Sequence, residues 1–115
     1  VQHALLTLFD LVANGQITME LLVDRVSHAP AELFGVVERG YVREGWFADL
    51  VIVDPEKPYK VHKDNLLSKC QWSPFEGHEF SASIDTTIVN GEVAYEHGKL
   101  SDRIAGRRLE FTRSR

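Results

Sequence analysis

The chain has 115 residues, 43% hydrophobic and 26% charged, which is the size and balance of one ordinary globular domain and excludes disordered or collagen-like sequence. A formal net charge of -4 argues against a nucleic-acid partner, because phosphate binding needs a basic face, and the basic tail "GRRLEFTRSR" reads as a solvated end. The single cysteine, Cys70, excludes an internal disulfide and a Cys-based zinc knuckle, and suits a reducing cytoplasm.

In chain order, Val1, Ala4, Leu5, Leu8, Leu11 and Val12 recur at helical spacing, with Leu6 and Phe9 widening the stripe. Asn14-Gly15 supplies the stop, since both residues tolerate a left-handed cap. Thr18 is placed to cap a second helix, with Glu20 near its positive end and Met19, Leu22, Val23 and Val26 as its buried face. "SHAPAELFG" reads as a break and one more short helix, started by Pro30 and ended by Gly35.

Beyond Gly40 the pattern changes. "ADLVIVD", Ala48 to Asp54, is a continuous β-branched run expected to form a strand buried on both faces. "PYKVH" predicts a second, exposed strand with Pro58 marking its edge. Asn90-Gly91 lies between two β-rich runs and predicts a type I′ hairpin, whose second strand closes at His97-Gly98. No apolar stretch is long enough to span a membrane, no signal peptide is visible, and there is no internal repeat. The chain also opens in mid-pattern without Met. Each half therefore reads as burying its apolar face against something absent, as a piece of a longer protein would.

The residues that could carry chemistry fall short of a site. His3, His28, His62, His78 and His97 include no two within four positions of each other, so no metal-binding pair at strand or helix spacing is present. Cys70 with His78 would make a nucleophilic pair only if the fold joined them. Ser73 lacks the Gly-x-Ser-x-Gly elbow, and Ser73-Pro74 reads as a turn. Gly35, Gly40 and Gly45 read as separate turns rather than a phosphate loop. Asp49 and Asp54 read as polar ends of a strand that satisfy backbone donors. In "SKCQWSPFEGHEF", Trp72 and Phe75 are expected to be apolar anchors, Pro74 to stiffen the bend, Gly77 to permit its exit, and Cys70 to be a small buried hydrophobe.

Two longer signatures add to this. "RGYVREGWFADLVIVD" followed by "TTIVNGEVAYEHGKL" resembles the C-terminal end of amidohydrolases, and "SKCQWSPFEG" resembles a motif near the end of dihydroorotases of the long bacterial type. "LLVDRVSHAPAELFGV" is similar to that family's last helical stretch, with His28-Ala29-Pro30-Ala31 where Asn-Pro-Ala is common. The resemblance implies an α/β fragment: residues 1–40 would be the last helices of a metal-dependent hydrolase TIM barrel, and residues 41–115 the C-terminal strands of a small composite β-sandwich.

By the same resemblance, the whole protein would be a zinc enzyme of the cytoplasm, interconverting carbamoyl aspartate and dihydroorotate in pyrimidine biosynthesis. Its ligands, a His-x-His pair, a carboxylated lysine, two more His and an Asp, would lie upstream. No catalytic, cofactor-binding or metal-binding residue is therefore assigned here, and the chain alone is expected to be inactive and zinc-free. Val1, Gln2 and His3 would be the residues nearest the substrate. The implied partners are the missing barrel and strands, with a second copy or aspartate transcarbamoylase as further candidates, and neither nucleic acid nor membrane. Two alternatives stay open: a metal-free structural partner of aspartate transcarbamoylase, and a hydantoinase or allantoinase. A free-standing binding module is a third.

Overall fold

A computed structural model describes residues 2–103 and 106–112. Its first helix, α1 (Ala4–Ala13), turns inward on Leu6 and Phe9, one helical turn apart, with Leu5, Leu8 and Val12 half-buried beside them. The two residues read as widening the stripe are thus its centre, and Val1 lies outside the described residues. The chain leaves α1 through Gly15 at φ 70°, and Thr18 Oγ1 accepts the Leu21 N–H at 3.2 Å to cap α2 (Met19–Val23).

The break expected before the third helix is absent, whereas Pro30 sits in the first turn of that helix, as its sequence suggested. Helix α2 runs through a π turn (Asp24–His28) into α3 (Ala29–Phe34), and the Ala29 N–H reaches back five residues to the Asp24 carbonyl. That wider turn precedes a proline that has no N–H to donate. The expected buried face of α2 is also corrected. Of these residues Leu22 is buried, whereas Met19, Val23 and Val26 are 38%, 37% and 45% exposed. Gly35 ends α3 in the left-handed conformation, φ 61°, and receives the returning tail: Thr112 N–H donates to its carbonyl at 2.7 Å.

Four strands form one antiparallel sheet in the order β1 (Leu50–Asp54), β4 (Ser83–Val89), β5 (Glu92–Glu96), β6 (Lys99–Leu100). Both tight turns hold the positive φ angles their sequences predict: 51° and 80° at Asn90-Gly91, 48° and 84° at His97-Gly98. The expectation of a doubly buried first strand fails. Among the described residues β1 pairs with β4 alone, at the sheet edge, and Val51 and Ile52 are 46% and 51% exposed. "PYKVH" departs in the opposite sense: β2 (Tyr59–Lys60) pairs with β3 (Glu79–Phe80), and the next residue, Val61, is 1% exposed. Val61 N–H donates to His78 O, and Gly77 N–H donates to Val61 O, so the segment is pulled inward beneath the loop.

The core joins helices to strands. Leu6, Phe9 and Leu22 meet Val61, Phe80 and Ala82, with Phe80 and Val61 the most deeply buried large side chains. A second fastening lies outside it. Arg39, 8% exposed, pairs with Asp49, donates to Asn90 Oδ1 at 2.6 Å, and lies over the Phe47 ring at 4.2 Å. Asp49 Oδ1 also accepts the Asn90 N–H at 2.8 Å, so one guanidinium and one carboxylate tie the β4–β5 turn to the connector.

Candidate functional site

Polar side chains converge where the start of α1 meets the loop between β2 and β3. Gln2 grips that loop with both ends of its amide: Nε2 donates to Asn65 O at 2.7 Å, and Oε1 accepts Leu67 N–H at 2.9 Å. His3 is 6% exposed among Tyr59, Phe75 and Phe80, with its Nδ1 3.4 Å from Ser73 Oγ and its Nε2 without a partner among the described residues. Burial holds the imidazole below its ordinary pKa of 6.5. A cavity of about 280 Å³ opens beside it, walled by Leu6, Tyr59, Ile84 and Tyr95. Burial also raises the Tyr59 phenol, so its hydroxyl stays protonated at neutral pH.

Two turns along α1, Asp10 gathers three donors. Oδ1 accepts the Ser81 N–H at 2.8 Å and the Ser81 hydroxyl at 2.7 Å, and Oδ2 lies 3.2 Å from His78 Nε2. Burial pushes this carboxyl up, but the hydrogen bonds from Ser81 and His78 outweigh it and leave the pKa below the usual 3.8.

These groups include Ser, His and Asp but do not make a nucleophile. A hydrolytic triad needs serine on imidazole and imidazole on carboxylate, whereas Ser81 and His78 both hang on the same carboxylate. Ser73 does face an imidazole, yet it is 7% exposed, its oxygen also accepts the Phe75 N–H at 3.1 Å, and no carboxylate orients His3. Both arrangements fasten α1 to the loop. The His3–Ser73 and Asp10–His78 contacts span 70 and 68 residues, and the sequence offers no local signal for either.

The remaining candidates are scattered. His28 stacks on Tyr41 at 4.0 Å, His62 sits at a 3₁₀ turn (Lys63–Asn65), and His97 is 3.2 Å from Asp85 in its hairpin. Asp49 and Asp54 do satisfy backbone donors, Asn90 N–H and Glu56 N–H respectively. Gly35, Gly40 and Gly45 all have positive φ and sit in separate turns. Cys70 is exposed rather than buried; its pKa is lowered by the Ser68 hydroxyl, 3.3 Å from Sγ, and His78 is turned away to Asp10. Trp72 is likewise corrected: it is 66% exposed, because Ser73 takes the inward position and Phe75, half-buried, is the anchor. Gly77 makes the expected tight exit at φ 84°. Among the described residues, no group of three or more His, Cys, Asp or Glu could hold a metal ion.

Residues 1–94 match the amidohydrolase family. The chain belongs to that family. Dihydroorotases of Clostridium acetobutylicum and Halobacterium salinarum are 37% and 40% identical to it over 91 and 103 residues, which cover 79% and 88% of this chain. The chain spans only 21% and 24% of the length of those relatives. Among solved structures, a D-hydantoinase superposes with a TM-score of 0.75 at 26% identity, covering 84% of this chain and 21% of that one. The L-hydantoinase of Arthrobacter aurescens gives 0.71 at 33% identity, covering 78% of this chain and 20% of its own. The dihydroorotase resemblance of "SKCQWSPFEG" is thus matched by relatives over most of this amidohydrolase chain, whose mixed helix-and-sheet architecture is the expected one. No helix of the described residues is long and apolar enough to cross a membrane.

Proposed function

We propose that this chain is the C-terminal portion of a dihydroorotase, a cytoplasmic zinc enzyme interconverting carbamoyl aspartate and dihydroorotate. In this reading residues 1–40 are the last helices of the barrel, and residues 41–115 complete a small β domain begun elsewhere in the polypeptide. The observation that carries it is the agreement with dihydroorotases, 32–40% identical across the first relatives compared, along most of this chain but a small share of theirs. The exposed apolar residues of α2 and β1 support it, since both elements present surface that a larger fold would cover.

The described residues bring together no His, Cys, Asp or Glu group that fits a zinc site; in this reading the metal and the catalytic acid–base groups are held by other parts of the enzyme. This chain's share of the work is to fix α1, one of the barrel's last helices, against the β domain through Gln2, His3, Asp10 and the loop. The superposition on hydantoinases favours a second reading, in which the cyclic amide is a hydantoin or dihydropyrimidine.

The test is complementation. The chain is co-expressed with a dihydroorotase, and separately with a hydantoinase, each shortened by the matching segment. Dihydroorotate turnover restored only in the first pairing supports the proposal, and restoration only in the second supports the alternative. Turnover by this chain alone with added zinc would overturn both.

A further inference from the structure

We propose that the loop from Ser73 to Phe80 is an acid-responsive flap: protonation of His3 frees its Ser73–Phe75 end, while Asp10 keeps the Ser81 end fastened as a hinge. The two ends of this loop are pinned to the same helix by histidines in opposite surroundings. At the first end, His3 stands among the rings of Tyr59, Phe75 and Phe80, at centroid distances of 6.3, 5.8 and 5.7 Å. Its one polar contact among the described residues is Ser73 Oγ, and its Nε2 is sealed from water without a partner.

A second proton would turn both ring nitrogens into donors, one of them with nothing to donate to. The stacked face of Phe80 offsets part of that buried charge, but a ring face does not replace a missing acceptor. The groups that face His3 from its neighbours give no counter-charge. Tyr59 from β2 is a neutral phenol, and Ser73 and Phe75 from the loop do not ionise. The acid on α1, Asp10, is committed to Ser81 and His78.

At the other end the same acidification does no harm. There the Ser81 N–H and hydroxyl hold Asp10 Oδ1 at 2.8 and 2.7 Å, and neither donor titrates in this range. The direction follows from linkage. The released imidazole takes up its proton near 6.5, whereas the buried one resists it. Anchoring is therefore complete above that pH and weakens as pH falls below it, until the buried ring itself titrates.

Hydrogen exchange resolved by residue, corrected for the intrinsic pH dependence of exchange, tests the flap in the full chain at about pH 7.5 and about pH 5.5. The amides of Phe75 and Glu76, bonded to Ser73 Oγ and Ser73 O, are expected to lose protection by up to about tenfold per pH unit. The Ser81 amide, bonded to Asp10, is expected to keep it. His3→Phe, which fills the ring cage without a titrating group, is expected to abolish the difference. Equal loosening at both ends overturns the proposal, as does no loosening at all or a pH effect that survives His3→Phe. If that variant does not fold, the exchange pattern of the unaltered chain decides alone.

Discussion

Gly40→Ala should destabilise this chain far more than Gly45→Ala, although the two glycines share nearly the same backbone conformation. Their φ angles are +85° and +81°, so each substitution carries the strain of a side chain in the left-handed region, about 1–2 kcal/mol. Only Gly40 is also crowded. An ideal Cβ there would lie 2.3 Å from Ala31 Cβ and 2.8 Å from the Ser27 carbonyl oxygen, whereas nothing lies within 4 Å at Gly45. Ala31 is itself buried, and the Ser27 oxygen is backbone of the π turn, so neither is the free end of a flexible side chain. Overpacking of this kind adds about 1–3 kcal/mol. Gly40→Ala should therefore cost about 2–5 kcal/mol and Gly45→Ala about 1–2 kcal/mol. Urea unfolding midpoints of the two variants, in this chain or any longer polypeptide containing it, measure the difference at constant m-value. Equal midpoints would show that the close approach of the connector to α2–α3 is not built as described.

Phe80→Ala removes the most deeply buried ring, and a loss of about 3–5 kcal/mol in the same unfolding assay is expected. Trp72→Ala, at a position 66% exposed, should change stability by about 0.5 kcal/mol or less; a loss several times larger would place Trp72 in a contact with other parts of the polypeptide. Asp49→Ala leaves the buried Arg39 without its carboxylate and should cost about 1–3 kcal/mol, much of which Arg39→Met in the same molecule should recover in a double-mutant cycle. The Asp10 contacts should persist down to the usual carboxylate pKa of 3.8 and fail as pH falls from there through the lower native value. In Asp10→Asn that acid-limb loss should disappear from the pH dependence of unfolding.

What could be read from the sequence was what neighbouring residues decide between themselves. Thr18 caps because its hydroxyl reaches an N–H three residues on, and Asn90-Gly91 turns because its own φ angles are positive. The long signatures around Ala48–Asp54 and Ser68–Gly77 named the family for a different reason, since they are patterns of a larger fold. Burial was misread wherever it depends on distant partners. A β-branched run such as Leu50–Asp54 is the same string whether covered or at an edge, and the edge position of β1 is set by its pairing with β4 thirty residues later. The break expected in "SHAPAELFG" is instead a π turn, which has no simple signature, while Pro30 keeps its place at the start of α3. Cys70 and Trp72 looked buried by type, yet the loop turns inward on Ser73, which meets a histidine seventy positions away. The polar junction at α1 was illegible for the same reason.

The Arg39 fastening also sets how this polypeptide can vary. One guanidinium touches Phe47, Asp49 and Asn90, so the stretch from Tyr41 to Ala48 must bring Asp49 to one place in one register. A single inserted residue there would withdraw the carboxylate from the turn. If absorbed further on, it would instead slide β1 by one position and exchange its two faces. Relatives should therefore keep the length of this connector while varying its exposed residues, and tolerate insertions around the exposed Glu56 and Lys57.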